Sequence, residues 1–175
     1  MTLSTLKKTS RYAEIEHKRQ NKKACDLYIA HSKRVVLIAF KYEADFPTLQ
    51  ACLLYNLIED TKVTSEDIRK SFGKEIAFLV EGVTKADTLE DTMKKVEVYS
   101  SKDRRVIQIK LADRLDNTAD LIRNKSLESL QKTITNYQNS NPFYIKLGKA
   151  LGYKEMANAL EELTNRLQPA NSLSS

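Results

Sequence analysis

Apolar residues recur at helical spacing over most of the chain. Val35, Ile38 and Ala39 share one face of a segment from about Asp26 to Tyr42. Leu49, Cys52, Leu53 and Leu57 recur in the same way between Thr48 and Asp60, which predicts a buried helix. The pattern further predicts helices at about Thr5–Arg19, Glu75–Val83, Leu89–Ser100, Lys102–Ile122, Leu127–Asn139, Pro142–Leu151 and Lys154–Leu167. Turn and cap residues punctuate them. Asp45-Phe46-Pro47 breaks the chain, Thr64 with Asp67 resembles a capping box opening a short helix to about Ser71, and Gly73 suits that helix's C-terminal stop. Pro142 is expected in a first helical turn, where its missing N–H is not needed. Lys85–Asp91 reads as a polar, mobile connection.

Composition agrees with the pattern. With 4 Gly and 3 Pro among 175 residues, the chain is too poor in turn residues for a β-sandwich, so the expected class is all-α. No linker or repeat divides it, which predicts one domain over residues 1–168 and a disordered tail at 169–175. Cys25 and Cys52 form no CxxC pair and read as reduced, structural residues. Met1–Ser10 lacks the apolar run of an export signal, and no segment approaches the roughly 20 apolar residues of a membrane span. These features predict a cytoplasmic protein without a membrane partner. The net charge of +6 favours anionic ligands. Basic residues from Lys7 to Lys23 crowd the first helix and the turn after it, yet no aromatic platform is interleaved with them, which disfavours nucleic acid.

Three stretches depart from ordinary helix surface. His31 lies in Tyr28-Ile29-Ala30-His31-Ser32-Lys33-Arg34-Val35, where a lone histidine can equally be a satisfied core residue. Tyr55 and Glu59, and likewise Asn56 and Asp60, stand four apart and share faces. Asp113 and Asn117 are also four apart, in an otherwise apolar helix. A carboxylate buried there needs a cation, a donor or a metal, and Lys110 or Arg114 could supply the charge.

Leu53-Leu54-Tyr55-Asn56-Leu57-Ile58-Glu59-Asp60-Thr61 resembles the Leu-Leu-His-Asp-x-x-Glu-Asp-Thr motif of RelA/SpoT-type hydrolase domains. Its flanks agree in order: Val63–Ile68, Phe72–Ala77, Val80–Lys85 and Arg105–Asn117 follow, and Tyr12-Ala13, His17, Gln20, Lys23 and Tyr28–His31 precede. The resemblance covers Tyr12 to Leu121 and implies an all-α HD-domain bundle of roughly eight to ten helices. That family removes the 3′-pyrophosphate from (p)ppGpp with a divalent ion, usually Mn2+. By the resemblance His31 and Asp113 match two of its four metal ligands, while Tyr55 and Asn56 stand where the other two, His and Asp, belong. Glu59 and Asp60 match the pair that orients water, Asn117 a nucleotide contact, and Lys22 and Lys23 the basic lining of the guanosine pocket.

The Tyr55-Asn56 replacement carries the functional expectation. A phenol with a pKa of about 10 is a poor ligand at neutral pH, Asn lacks the carboxylate charge, and Mn2+ stands at the weak end of the divalent series. No cofactor is therefore expected unless Glu59 and Asp60 move inward as substitute ligands for Mn2+. Tyr55 can fill the vacated cavity and Asn56 can hydrogen-bond Asp113. Three functions compete: a catalytically impaired binder of a guanine nucleotide such as (p)ppGpp, an active nucleotide phosphohydrolase with a rearranged site, and a protein-interaction scaffold, including a homo-oligomer.

Overall fold

The computed structural model describes residues 3–20, 25–124 and 126–167, without the side chains of residues 25–28. The expected tail at 169–175 and the Cys25 side chain lie outside these residues, and Cys52 is a buried free thiol. Among the described residues the fold is all-α, with nine α-helices and one 3-10 turn. They are α1 (Leu3–Gln20), α2 (Cys25–Lys41), α3 (Phe46–Asp60), α4 (Ser65–Phe72), α5 (Lys74–Val83), α6 (Leu89–Lys102), α7 (Arg105–Arg123), α8 (Gln131–Ala150) and α9 (Lys154–Leu167). None is long and apolar enough to cross a membrane.

Two helices form the axis of the bundle. α3 is buried without interruption from Thr48 to Leu57, and α7 from Val106 to Asp116. An amphipathic helix buries one stripe, whereas a helix buried all round must be enclosed by others. α3 packs against α1, α2, α5 and α7, and α7 packs in addition against α6, α8 and α9. Leu54, Leu57, Ile107, Ile109 and Leu111 join the two in one core.

Local chemistry sets the helix ends. Asp45 accepts the Thr48 N–H at 3.0 Å and opens α3, with Pro47 in its first turn. Thr64 and Asp67 form the expected capping box of α4. Gly73, at φ 90°, ends α4 and turns the chain directly into α5, a conformation that side chains disfavour. The Thr84–Thr88 connection is tied down: Lys85 N–H donates to Glu59 Oε1 at 2.7 Å and Ala86 N–H to Thr92 Oγ1 at 3.0 Å.

The C-terminal half corrects one expectation. The stretches Leu127–Asn139 and Pro142–Leu151 do not make two helices; after a 3-10 turn at Glu128–Leu130, α8 runs unbroken through Pro142. Long-range bonds beside the proline hold the helix in place there. Asn141 accepts from Arg114 Nε at 2.7 Å and donates to Thr164 at 2.8 Å and Thr118 at 3.3 Å, while Ser140 accepts from Arg114. α7 and α9 thus clamp α8 where sequence preference alone would break it. The exposed Pro142 leaves the Gln138 carbonyl without the N–H of an ordinary helical residue. Pro142→Ala is expected to stabilise the protein by about 1–3 kcal/mol, seen as a higher urea midpoint. An unchanged or lower midpoint would mean that α8 depends on the proline.

Candidate functional site

α2, α3 and α7 converge on a polar centre inside the apolar core. α2 contributes His31, α3 contributes Tyr55, and α7 contributes Asp113 and Asp116. The Tyr55 hydroxyl stands between His31 Nε2, at 2.8 Å, and Asp113 Oδ1, at 3.0 Å. His31 Nδ1 meets Asp116 Oδ2 at 2.7 Å. Asp113 Oδ1 also accepts from Asn117 Nδ2 at 2.7 Å, and its Oδ2 pairs with Lys110 Nζ at 3.0 Å. Asp116 is held from its other side by Arg34, through Nε at 2.7 Å and Nη2 at 2.9 Å.

The donor inventory fixes the proton positions. Carboxylates only accept, so the Tyr55 O–H donates to Asp113 and the Tyr55 oxygen must accept from His31 Nε2–H. Asp116 likewise requires a proton on Nδ1. His31 is therefore an imidazolium. Burial opposes that charge, but hydrogen bonds and charges from Asp113 and Asp116 outweigh it and raise the His31 pKa to about 9. Burial also disfavours charge on Asp113, yet Lys110 and His31 hold its pKa well below the usual carboxylate range. Burial and the Asp113 charge push the Tyr55 phenol well above 10.0, so it stays protonated.

Every described candidate borders one cavity of about 870 Å3: His31, Tyr55, Asn56, Glu59, Asp60, Asp113 and Asn117. Their contacts differ from expectation in two respects. Asn56 does not bond Asp113, because Tyr55 occupies that direction; its amide makes a long 3.5 Å contact with Ser32 Oγ instead. Asn117 is committed to Asp113. Of the two cations suggested for Asp113, Lys110 is the partner, while Arg114 turns away to Ser140 and Asn141. Glu59 is held at both oxygens by Lys85, through its N–H at 2.7 Å and Nζ at 3.0 Å. Burial and the neighbouring Glu59 raise the pKa of Asp60. Lys22 and Lys23 lie outside the described residues. Among the described residues, no group of three or more His, Cys, Asp or Glu side chains is placed to hold a metal ion.

Sequence reasoning missed part of the site. Asp116 pairs with His31 across 85 residues, and Arg34 with Asp116 across 82, separations at which no spacing rule applies. The whole far wall was also unmarked: Asn136, Tyr137, Ser140 and Tyr144 of α8 line the cavity. Their spacing of one to two turns along one helix is visible only once α8 is continuous through Pro142.

The charged His31 makes stability depend on pH. Because its folded-state pKa lies above the ordinary 6.5, its contribution is complete below about pH 6.5 and lost as pH rises through about 9. A shift of this size corresponds to a loss on the order of 3 kcal/mol. Urea midpoints are expected to fall over that window, and the His31 imidazole resonances in NMR to titrate near 9. His17 should titrate below 6.5, since burial alone lowers it. A His31 midpoint near 6.5 would contradict the doubly donating imidazolium.

Comparison with known proteins agrees with this architecture. The HD domain family profile matches residues 9–153. A GTP pyrophosphokinase from Streptomyces coelicolor is 35% identical over 172 residues, covering 93% of this chain and 20% of that protein. A guanosine-3′,5′-bis(diphosphate) 3′-pyrophosphohydrolase from Aquifex aeolicus is 33% identical over 159 residues, covering 86% of this chain and 22% of that protein. The chain thus spans about a fifth of the length of these curated relatives. Its fold is shared with a metazoan SpoT ortholog described as hydrolysing ppGpp, at a TM-score of 0.71, 23% identity and coverage of 95% and 97% of the two chains. The chain belongs to the HD domain family, with homology to its RelA/SpoT-type members.

Proposed function

We propose that this domain binds a guanine nucleotide of the (p)ppGpp class, or a closely related phosphorylated ligand, in the 870 Å3 cavity and does not hydrolyse it by a metal-assisted route. The observation that carries the proposal is the Tyr55 hydroxyl, hydrogen-bonded at once to His31 and Asp113. The ligand class rests on the relatives, whose names specify guanosine bis(diphosphate) and GTP chemistry.

The residues do not fit a divalent ion. A metal ligand must offer a lone pair, and His31 Nε2 is taken up by the Tyr55 hydroxyl at 2.8 Å, so an ion there would have to displace both the phenol and a proton. The protonated phenol of Tyr55 is a weak donor to metals, and Asn56 brings no charge. Glu59 could move inward as a substitute only by abandoning both contacts with Lys85. The cations already present take over the balance of charge: His31 and Lys110 stand against Asp113 and Asp116, with Arg34 outside them. Metal-assisted hydrolysis needs a Lewis acid to lower the pKa of water from about 15.7 towards neutrality, and these side chains do not provide one.

The cations that line the cavity suit phosphate binding. Lys85, Lys110, Arg34 and Arg114 all border the cavity, and the Asn136 amide and Tyr137 hydroxyl add neutral hydrogen-bonding groups. Titration calorimetry with (p)ppGpp and GTP in EDTA is expected to give saturable binding at micromolar ligand. No heat at high micromolar ligand would sink the proposal. So would manganese-dependent turnover that His31→Ala and Asp113→Ala abolish, which would favour the rearranged hydrolase.

A second experiment tests the metal argument by itself. Tyr55→His combined with Asn56→Asp replaces the bridging phenol with an imidazole and restores a carboxylate. The double variant is expected to bind Mn2+, detected by electron paramagnetic resonance, where the unaltered chain does not. Equal Mn2+ binding by both would show that Tyr55 and Asn56 do not control the site.

A further inference from the structure

The inner wall of the cavity, between α7 and α8, carries a charge with no counter-charge. Arg114 is 5% exposed, and its guanidinium donates to Ser140 Oγ and to Asn141 Oδ1. It lies 3.8 Å from the Tyr137 ring centroid and 4.9 Å from that of Tyr144. Each of these neighbours is neutral. Among the described residues no carboxylate makes an ion pair with Arg114, unlike Lys110 and Arg34 beside it. Neutral acceptors and aromatic faces solvate a guanidinium in part, but they leave its charge uncancelled.

A second deficit lies against the first. Tyr144 is fully buried on the same cavity wall, and its hydroxyl has no hydrogen-bond partner among the described residues. Buried hydroxyls in native proteins are nearly always bonded, so one without a partner needs a reason. Burial raises its pKa, Lys110 and Arg114 act in the opposite direction and the Asp113 charge raises it again, so the hydroxyl keeps its proton and can donate. Lys110, 4% exposed, completes the group, with one of its donors directed at Asp113. The α8 residues of this wall, including Asn136, Tyr137 and Ser140, are all uncharged, and the anion that borders the group, Asp113, is already engaged by Tyr55, Asn117 and Lys110.

One kind of ligand meets both deficits. It must be anionic, to balance Arg114, and must present several acceptor oxygens, to take the Tyr144 hydroxyl together with guanidinium and ammonium donors. We infer that Arg114, Tyr144 and Lys110 form an oxyanion subsite at the inner end of the cavity, which takes a phosphoryl group as phosphate or pyrophosphate. The subsite rests on the nucleotide-binding reading for its biological source but not for its chemistry. Free inorganic pyrophosphate and the phosphates of a nucleotide present the same group.

Tyr144→Phe tests it, because that substitution removes only the hydroxyl. With no partner to lose, the variant is expected to keep or raise the urea midpoint. Calorimetry in EDTA with inorganic pyrophosphate, and separately with GDP, is run on both proteins. Pyrophosphate is expected to bind the unaltered chain and to bind Tyr144→Phe about tenfold more weakly, the loss of one hydrogen bond to a charged group. Arg114→Lys, which keeps the charge but loses the planar fork, is expected to weaken pyrophosphate as well. Equal pyrophosphate affinity in the unaltered chain and Tyr144→Phe would overturn the subsite. A urea midpoint that falls in Tyr144→Phe would also overturn it, since the hydroxyl then holds a structural water. GDP binding without pyrophosphate binding would remove the subsite and leave the nucleotide reading standing. Pyrophosphate binding lost in Tyr144→Phe, without any nucleotide binding, would support the subsite and remove that reading.

Discussion

Asp113 is a carboxylate buried where three helices meet, and the arrangement around it follows from the need to hold that charge. An ion in such a place costs several kcal/mol unless donors and cations surround it. Tyr55 from α3 and Asn117 one turn along α7 supply the donors, and Lys110 supplies the charge. The demand then propagates. Tyr55 can donate to Asp113 only by accepting from His31, which makes His31 a cation. That cation is stabilised by Asp116, and Asp116 by Arg34, which also reaches Asp120 at 3.0 Å. Alternating charges thus run along the α2–α7 interface, each carboxylate of the network facing at least one cation.

Such a network joins helices as a metal would. His31 and Arg34 belong to α2, Tyr55 to α3, and the carboxylates to α7, so one chain of hydrogen bonds fixes the three against each other. The opposite half of the cavity is built differently. There α8 supplies hydroxyls, amides and rings, and Arg114 commits its hydrogen bonds to Ser140 and Asn141 next to Pro142. The guanidinium that organises the helix packing is the same one left without a counter-charge at the cavity wall. In the proposed subsite, structure and binding are therefore coupled at Arg114 and separable at Tyr144, whose hydroxyl has no hydrogen-bond partner among the described residues.

The fold was largely legible because it depends on periodicity and on caps that act over three or four residues. Leu49, Cys52, Leu53 and Leu57 announce a buried α3, and Thr64 with Asp67 marks the start of α4. The site was legible where a motif lies within one helix: Asp113 with Asn117, or Tyr55-Asn56 with Glu59-Asp60. What determines their state was not. Whether Lys110 or Arg114 neutralises Asp113 depends on which way each helix face turns. The choice of Tyr55 over Asn56 as the bridging group depends on reach, since a phenol extends to Asp113 while the shorter amide stops near Ser32. Pro142 misled for a similar reason. Its local preference is to begin or break a helix, and contacts with Thr118 and Thr164 on two other helices overrule it.

Organic cations and a metal ion do different things with a phosphate. A metal ion binds its substrate and also generates the attacking hydroxide, so the affinity it provides contributes to turnover. Lysine, arginine and imidazolium donate hydrogen bonds to phosphate oxygens but do not acidify a water. Unless they bind the transition state better than the ground state, they yield affinity without rate. Hydrolysis by this chain would then rest on a general base without a Lewis acid to acidify the water. Glu59 is engaged by Lys85 at both oxygens, whereas Asp60, whose pKa is raised by burial and by Glu59, is the carboxylate better suited to that role. The charge balance that makes Asp113 tolerable in the core thus favours holding a phosphorylated ligand over cleaving it, which is why the proposed function follows from the same contact that fixes the helices.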